Sequence, residues 1–150
     1  MSDDVATEDR VLRLERLIAA PPERLFDLWT QPEQLVKWWG PDAYDVPRYE
    51  LDLRPGGRWR TTMHPPGGKP RSVGGVYRVI ERPRRLVFTW TWDRDDGARG
   101  HESEVTVTFE AAPGGTRLTL VQQAFESSEA RDNHGRGWSA ACDRLARIGP

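Results

Sequence analysis

Cysteine and long apolar runs are scarce in this sequence, and each scarcity excludes a class of protein. The single cysteine, Cys142, cannot form an internal disulfide, which is typical of proteins from a reducing cytoplasm. No segment approaches the roughly 20 apolar residues that a membrane-spanning helix needs. The acidic N-terminus lacks the apolar segment of a secretory signal. We therefore expect a cytoplasmic protein that makes no contact with a membrane.

A surplus of charge of one sign is also missing. Lysine and arginine total 22, aspartate and glutamate total 23, and the net charge is −1. The densest basic stretch holds Arg82, Arg84 and Arg85 beside Glu81, and it is too short to follow a phosphate backbone. We therefore expect no nucleic-acid partner.

The length and the first residues suggest how the chain is divided. At 150 residues it has the size of one domain. Residues 1–9 are polar and acidic, which favours a disordered tail. We therefore predict a single domain over residues 10–150, with a homodimer left open as its assembly.

Aliphatic residues are few as well, and tryptophan takes their place. Valine, leucine, isoleucine and phenylalanine together make up only about 20% of the chain, a level at which highly charged chains tend to be disordered. The tryptophans are Trp29, Trp38, Trp39, Trp59, Trp90, Trp92 and Trp138. Large rings bury much more surface per residue than aliphatic side chains do. The composition therefore predicts a small folded domain whose core or interior pocket is built from rings.

Alternating apolar residues and turn residues predict seven strands. Leu12, Leu14 and Ile18 indicate a first strand over residues 12–18. Prolines at 21, 22 and 32 then begin two short helices, which end at Gly40. Six further strands are predicted at residues 49–54, 59–63, 73–80, 86–92, 104–110 and 118–122. Gly-Gly pairs that begin at residues 56, 67, 74 and 114 are interpreted as turns, and short connections favour antiparallel hairpins.

The last segment predicts a long helix that covers the sheet. It begins at Ser127 or Ser128, and one stripe of it carries His134, Trp138, Ala141, Cys142, Leu145 and Ile148. The opposite side is predicted to carry Arg136, Asp143, Arg144 and Arg147. One-sided alternation in the strands requires such a cover. The pattern predicts an α+β domain in which a meandering sheet wraps around the C-terminal helix.

Several short runs are similar to one known family. They are residues 21–26 (PPERLF), 38–41 (WWGP), 52–59 (DLRPGGRW), 85–90 (RLVFTW), 115–120 (GTRLTL), 137–138 (GW) and 143–145 (DRL). In this order and spacing they resemble the Hsp90 ATPase activator homologue family over residues 10–148. That family lies in the START-like, Bet v 1-like superfamily. The resemblance implies the helix-grip fold, a curved antiparallel sheet wrapped around a long C-terminal helix, with two short helices after the first strand.

The resemblance also implies a cavity and a choice of functions. The superfamily uses the cavity between sheet and C-terminal helix for lipids, sterols, polyketides and other apolar molecules, and some members of the family act on a chaperone. This chain departs from the family in two places. Cys142 stands where a leucine is expected, and the chain stops soon after Leu145. The early stop leaves open whether a short final helix closes one end of the cavity.

Motifs for metals, phosphates and calcium are incomplete. His64, His101 and His134 are far apart along the chain and lack a cysteine pair, so we expect no metal site. Lys69 follows Gly68 but opens no helix, which excludes a phosphate loop. The acidic loop at residues 93–100 lacks the distal glutamate of a calcium site. We expect no cofactor.

Strand parity gathers the aromatic residues at one interior, where we predict a ligand pocket rather than a filled core. Carboxylates at 50, 52, 104 and 110 lie opposite the apolar set and are expected to face solvent. Trp29, Trp38 and Trp39 are expected at the cavity entrance, with one of the last two packed and the other semi-exposed. The predicted ligand-binding residues are Trp39, Trp59, Thr61, Met63, Phe88, Trp90, Trp92, Ser103, Val105, Gln122, His134 and Trp138.

Three functions stay open from the sequence. The first is binding or sequestration, without chemistry, of a small hydrophobic ligand of aromatic, lipid or polyketide-like character. The second is a protein interaction that stimulates an Hsp90-type ATPase. The third is a cyclase- or hydrolase-like reaction that uses His101 or His134. No nucleophile, base and orienting group stand together in the sequence, so the residues favour the first function and indicate no catalytic residue.

Overall fold

The computed structural model describes residues 10–40, 45–93 and 99–149. Those residues form seven strands and three helices. The strands are β1 (Leu12–Ile18), β2 (Asp45–Leu51), β3 (Arg58–His64), β4 (Arg71–Glu81), β5 (Arg85–Asp93), β6 (Arg99–Ala112) and β7 (Gly115–Gln123). The helices are α1 (Pro22–Thr30), α2 (Pro32–Leu35) and α3 (Ser128–Ile148). The predicted tail at residues 1–9 and the centre of the predicted acidic loop lie outside the described residues.

The strands form one antiparallel sheet in the order β1-β7-β6-β5-β4-β3-β2. From β2 to β7 each strand pairs with the next along the chain, as the short turns between them predict. The first strand pairs with the last, with Leu14 opposite Leu120. Along the chain, the two short helices lie between β1 and β2, which are the strands at the two edges of the sheet. The helix α3 covers the interior face of the sheet. This arrangement confirms the predicted α+β helix-grip fold.

Two strands differ from the prediction at their ends. β2 ends at Leu51 rather than at residue 54, and the side chains of Tyr49 and Leu53 are each 40% exposed. Both belong to the apolar set of the predicted strand 49–54, opposite its carboxylates, but Tyr49 lies on a strand at the edge of the sheet and Leu53 lies beyond the end of β2. β6 begins at Arg99, earlier than predicted, because its pairing with β5 continues as far as Asp93.

The glycine pair at residues 74–75 lies inside β4, which corrects its interpretation as a turn. A Cβ atom at Gly75 would lie 2.0 Å from the carbonyl oxygen of Thr89. That carbonyl accepts the indole N–H of Trp59 at 3.0 Å, and the Thr89 hydroxyl accepts the N–H of Val76 at 2.9 Å. Glycine is therefore needed at position 75 because β5 approaches the backbone closely and holds a tryptophan there.

Arginines attach α3 to the elements around it. Arg16 of β1 donates to Ser139 Oγ at 2.9 Å and to Asp143 Oδ1 at 3.2 Å. Arg24 of α1 donates to the carbonyl oxygen of Gly149 at 3.1 Å, which lies just after the last residue of the helix. Cations favour the C-terminal end of a helix because its carbonyl groups carry partial negative charge. β1 and α1 are thus both connected to α3 by arginine side chains.

Arg144 corrects the predicted polar side of α3. It donates to the carbonyl oxygen of Trp38 at 3.1 Å and to that of Gly40. The side chain therefore faces the segment that follows α2 rather than open solvent. A guanidinium carries five N–H donors in one plane, which suits it to bind two carbonyl groups at once.

The C-terminal end of α3 packs against two other elements of the fold. A Cβ atom at Gly149 would lie 3.0 Å from Ile18 Cγ2 and 3.4 Å from Leu25 Cδ2. The C-terminal end of the helix is therefore packed against β1 and α1. At its other end, Ser127 caps the helix by accepting the N–H of Ala130 at 3.1 Å.

We predict that Gly75→Ala lowers the free energy of unfolding by about 2 kcal/mol or more, because the added methyl group must push β5 away. Urea unfolding followed by tryptophan emission measures this change. Gly135→Ala is the control, because this helical glycine leaves a Cβ atom no closer than 3.3 Å to Leu12, and alanine favours a helix by up to about 1 kcal/mol. Equal unfolding midpoints for Gly75→Ala and the wild type would contradict the close approach.

Candidate functional site

The interior between the sheet and the N-terminal half of α3 is not filled. A cavity of about 300 Å³ lies there, with four indole rings in its walls. These rings, Trp39, Trp90, Trp92 and Trp138, define what we call the tryptophan cavity. Its walls also include Met63, His134 and Ala141. Ligand pockets in proteins start at about this volume and are mostly apolar.

Trp90 lies at the centre of the ring cluster. Its centroid is 5.7 Å from that of Trp39, 5.6 Å from that of Trp92 and 5.4 Å from that of Trp138. The rings meet at interplanar angles of 40° to 75° rather than in parallel stacks. Tilted and edge-to-face contacts at these distances are the favoured geometry between aromatic rings. The rings therefore pack against one another and border the cavity with their remaining surface.

Buried polar side chains hold two of the rings in place. The Trp39 indole donates to Thr61 Oγ1 at 3.0 Å. The Trp138 indole donates to Gln122 Oε1 at 2.8 Å, and Gln122 Nε2 donates in turn to Ser103 Oγ at 2.8 Å. Because buried polar groups are costly without a partner, these bonds fix the orientation of each ring.

The indole N–H of Trp90 is the exception among the rings of the cavity. It is buried and has no hydrogen-bond partner among the described residues. A buried donor without an acceptor costs about 1–3 kcal/mol. This nitrogen is closed to a molecule the size of water, so an acceptor on a ligand would meet it only after a small shift of the ring. An acceptor that reached the nitrogen in this way would remove the cost.

His134 is held in one protonation state at the outer end of the cavity. The Trp92 indole donates to its Nε2 at 3.0 Å, and Nδ1 lies 3.0 Å from the carbonyl oxygen of Ala130. This pattern requires the neutral ring with its proton on Nδ1. Burial is the main cause that lowers the pKa of His134 from its ordinary value, against the opposing hydrogen bond to Ala130. Both ring nitrogens are therefore engaged.

The tryptophan cavity opens to the surface beside Trp92. A surface groove adjoins it and shares five of its wall residues, which we call the mouth: Arg71, Trp92, Glu126, Ala130 and His134. The guanidinium carbon of Arg71 lies 4.2 Å from the centroid of the Trp92 ring, within the range of a cation–π contact. A cation and a half-buried ring therefore form one side of the opening.

The structure places six of the predicted site residues in the wall of the cavity: Trp39, Met63, Trp90, Trp92, His134 and Trp138. Thr61 and Gln122 lie behind the rings as acceptors, and Ser103 borders the surface groove. Val105 is fully buried in the core. Trp59 and Phe88 border only a closed void of about 10 Å³, on the far side of Trp39. The walls of the cavity thus contain six of the twelve residues that were predicted to bind a ligand.

The prediction for the short helices is wrong in one respect. Neither Trp38 nor Trp39 is semi-exposed, because their side chains are 0% and 5% exposed. The Trp38 indole donates to the carbonyl oxygen of Leu28 at 2.8 Å. Trp29 is buried as well, with its ring centroid 4.6 Å from that of Trp38. Trp29 and Trp38 therefore belong to the core behind the cavity, and Trp39 lies in the cavity wall, so none of the three forms an exposed entrance.

Sequence reasoning missed the charged residues of the mouth. Arg71 is opposite Met63 in the pairing of β3 with β4, and it shares strand parity with the fully buried Val73. Extending the predicted strand by two residues would have placed Arg71 on the interior side. Glu126 could not be predicted from strand or helix periodicity, because it lies in the connection between the end of β7 and the start of α3.

Other reactive groups lie apart from the cavity or are held by partners. Burial raises the pKa of the Cys142 thiol to about 12, so it stays protonated and unreactive. His101 Nε2 contacts the carbonyl oxygen of Ala124. Within residues 10–40, 45–93 and 99–149, no group of three His, Cys, Asp or Glu side chains is placed to hold a metal ion. No helix in that part of the chain is long and apolar enough to cross a membrane.

Comparison with known proteins gives consistent matches. A family model described as Activator of Hsp90 ATPase homolog 1-like protein matches residues 19–149. The AHSA1 protein from Silicibacter pomeroyi is 34% identical with a TM-score of 0.85, over 91% of this chain and 95% of that chain. A protein from Chromobacterium violaceum is 25% identical with a TM-score of 0.85, over 93% and 97%. The search of curated proteins found no match.

We predict that His134 titrates below its ordinary pKa, and that the proton of its neutral ring is on Nδ1. Because the unfolded chain takes up this proton more readily, the free energy of unfolding falls as the pH drops below about 6.5. Between pH 7.5 and 5.5 the wild type should lose up to about 1 kcal/mol more than His134→Gln does. Urea unfolding at several pH values measures the difference.

Nitrogen-detected NMR of the His134 ring gives the control for this prediction. Trp92→Phe keeps a ring but removes the N–H that binds Nε2, so it should raise the pKa of His134. A proton on Nε2 in the neutral wild-type ring, or a pKa of His134 above 6.5, would contradict the geometry.

Proposed function

This chain belongs to the family described as Activator of Hsp90 ATPase homolog 1-like protein, and on that premise we propose that it binds one small, flat, apolar molecule in the tryptophan cavity. The protein would sequester or carry this molecule without changing it. We also propose a cytoplasmic location, since the single cysteine of the sequence, Cys142, has no second cysteine with which to form an internal disulfide.

The proposal depends on one observation, a cavity of about 300 Å³ whose walls include four tryptophans. Indole faces attract flat apolar and aromatic molecules, because stacking adds to the gain from removing apolar surface from water. A core that served stability alone would gain from closing such a volume, since each unfilled space in an interior destabilises the fold. The unpaired N–H of Trp90 supports the same proposal, because a ligand with an acceptor would satisfy it.

The volume of the cavity sets the size of the ligand. A water molecule takes up about 30 Å³ in the liquid, so about 300 Å³ corresponds to roughly ten waters. A molecule of about 10–15 heavy atoms, such as one with two fused rings, fits this space. At about 0.5 kcal/mol per heavy atom, such a ligand would have a Kd on the order of 10–100 µM.

The contacts of His134 favour ligand binding over catalysis. A general base needs a free lone pair within reach of the substrate. At His134 the lone pair of Nε2 accepts the Trp92 N–H, and Nδ1 faces the Ala130 carbonyl oxygen. A catalytic role for this residue would require the Trp92 bond to break in each turnover.

The alternative function, stimulation of an Hsp90-type ATPase, is supported by the description of the family to which the chain belongs. It requires that the purified protein raise the ATPase rate of an Hsp90-type chaperone. A ligand in the tryptophan cavity is compatible with such a role, so the two functions are separated by the ATPase assay and not by ligand binding alone.

We predict that 2-naphthol binds the wild type with a Kd of roughly 10–100 µM, from its about 11 heavy atoms. Isothermal titration calorimetry and quenching of tryptophan emission measure it. Ala141→Leu adds three carbon atoms to the wall of the cavity and should weaken binding at least tenfold.

The matched control is Ala140→Leu, because Ala140 borders a separate groove on the outer side of α3. This variant should bind 2-naphthol as the wild type does. Equal weakening by both variants, or no heat and no quenching with the wild type at millimolar 2-naphthol, would contradict the proposal. Circular dichroism shows whether each variant keeps its fold.

A further inference from the structure

We propose that the ligand is an aromatic carboxylic acid, with its rings in the tryptophan cavity and its carboxylate bound by Arg71 at the mouth. This inference rests on the proposed function, and it adds the chemical class of the ligand. It draws on the position of Arg71, on the charges around the mouth, and on the donors that the cavity presents.

Arg71 is already positioned for an anion. Its guanidinium stacks on Trp92 at 4.2 Å, which leaves the N–H groups at the edge of the plane free to donate. No hydrogen bond or ion pair joins this guanidinium to another described residue. Arg71 borders both the cavity and the surface groove. A carboxylate at this point would receive two parallel N–H bonds, the geometry in which arginine binds carboxylates most strongly.

The charges around the mouth favour an anion on balance. The cationic side chains are Lys69 and Arg71, and the acidic ones are Asp93 and Glu126. Asp93 is neutralised by an ion pair with Arg60. Among the described residues of the groove, two cations therefore face one unpaired carboxylate, that of Glu126.

The pKa of His134, at the mouth, is shifted by two of the same charged side chains. Apart from burial and the hydrogen bond to Ala130, two charged neighbours shift the pKa of His134. Arg71 lowers it more strongly than Glu126 raises it. The positive charge of Arg71 therefore acts on this ring more strongly than the negative charge of Glu126 does.

An organic cation is the main alternative, because tryptophan cages and an acidic side chain also suit a quaternary ammonium group. Two observations count against it. One face of the Trp92 ring already carries the guanidinium of Arg71. The buried polar group without a partner in the wall of the cavity is a donor, the Trp90 N–H, which needs an acceptor. A carboxylic acid, in contrast, supplies acceptors and meets the arginine with opposite charge.

Three probes of one shape and different charge test the inference: 2-naphthoate, 2-naphthalenemethanol and 2-naphthylmethylammonium. Calorimetry at low salt should give a Kd for the naphthoate at least tenfold lower than that for the alcohol, with the ammonium compound weakest. Arg71→Gln should remove the preference, so that the Kd values for the acid and the alcohol lie within twofold of each other. Arg71→Lys keeps the charge and should retain part of the preference.

Lys69→Gln is the matched control, because it removes a positive charge from the same groove without touching the wall of the cavity. It should keep the preference for the acid. Equal affinity for acid and alcohol in the wild type would overturn the inference and leave the proposed function intact. Tightest binding of the ammonium compound, lost in Glu126→Gln, would overturn it in favour of a cation site. Failure of all three probes to bind would contradict the proposed function as well.

Discussion

The packing of seven indole rings, six of them buried and Trp92 half-buried, around one interior is the constraint on which the rest of the structure depends. Every indole removes an N–H from water and needs an acceptor in return. Five of the seven find one: Trp38 on the Leu28 carbonyl, Trp39 on Thr61, Trp59 on the Thr89 carbonyl, Trp92 on His134 and Trp138 on Gln122. These bonds fix the angles between the rings, so the interior keeps an open volume instead of collapsing around them.

The same constraint explains residues that look unrelated in the sequence. Gly75 is small because the Thr89 carbonyl must reach Trp59. Gln122 and Ser103 form a buried polar pair because Trp138 needs its acceptor. Arg144 binds the carbonyl groups on either side of Trp39, those of Trp38 and Gly40, and so joins α3 to the segment that carries two of the rings. Backbone, polar core and helix packing thus serve one cluster.

Strand parity and helical periodicity were enough to predict the fold and half of the candidate site. Met63, Trp90 and Trp92 follow from alternation along β3 and β5, and Trp138 follows from the stripe on α3. Alternation along a strand shows which face of the sheet a side chain is on, but not how deep in the interior it lies. Trp59 and Phe88 are on the interior face, yet they lie in the core beside a void of only about 10 Å³. Arg71 was missed because a charged residue at the start of a strand gives no apolar signal. The edge position of β2, which leaves Tyr49 and Leu53 exposed, depends on the order of strands in the sheet.

The central claim is that the tryptophan cavity holds a ligand, and the most direct measurement is the ¹H–¹⁵N spectrum of the seven indole N–H groups before and after 2-naphthol is added. The account predicts that the Trp90 resonance moves most, because its unpaired N–H gains an acceptor, and that Trp38, bonded to the Leu28 carbonyl, moves least. Seven unchanged indole resonances at saturating 2-naphthol, with shifts confined to surface amides, would contradict it.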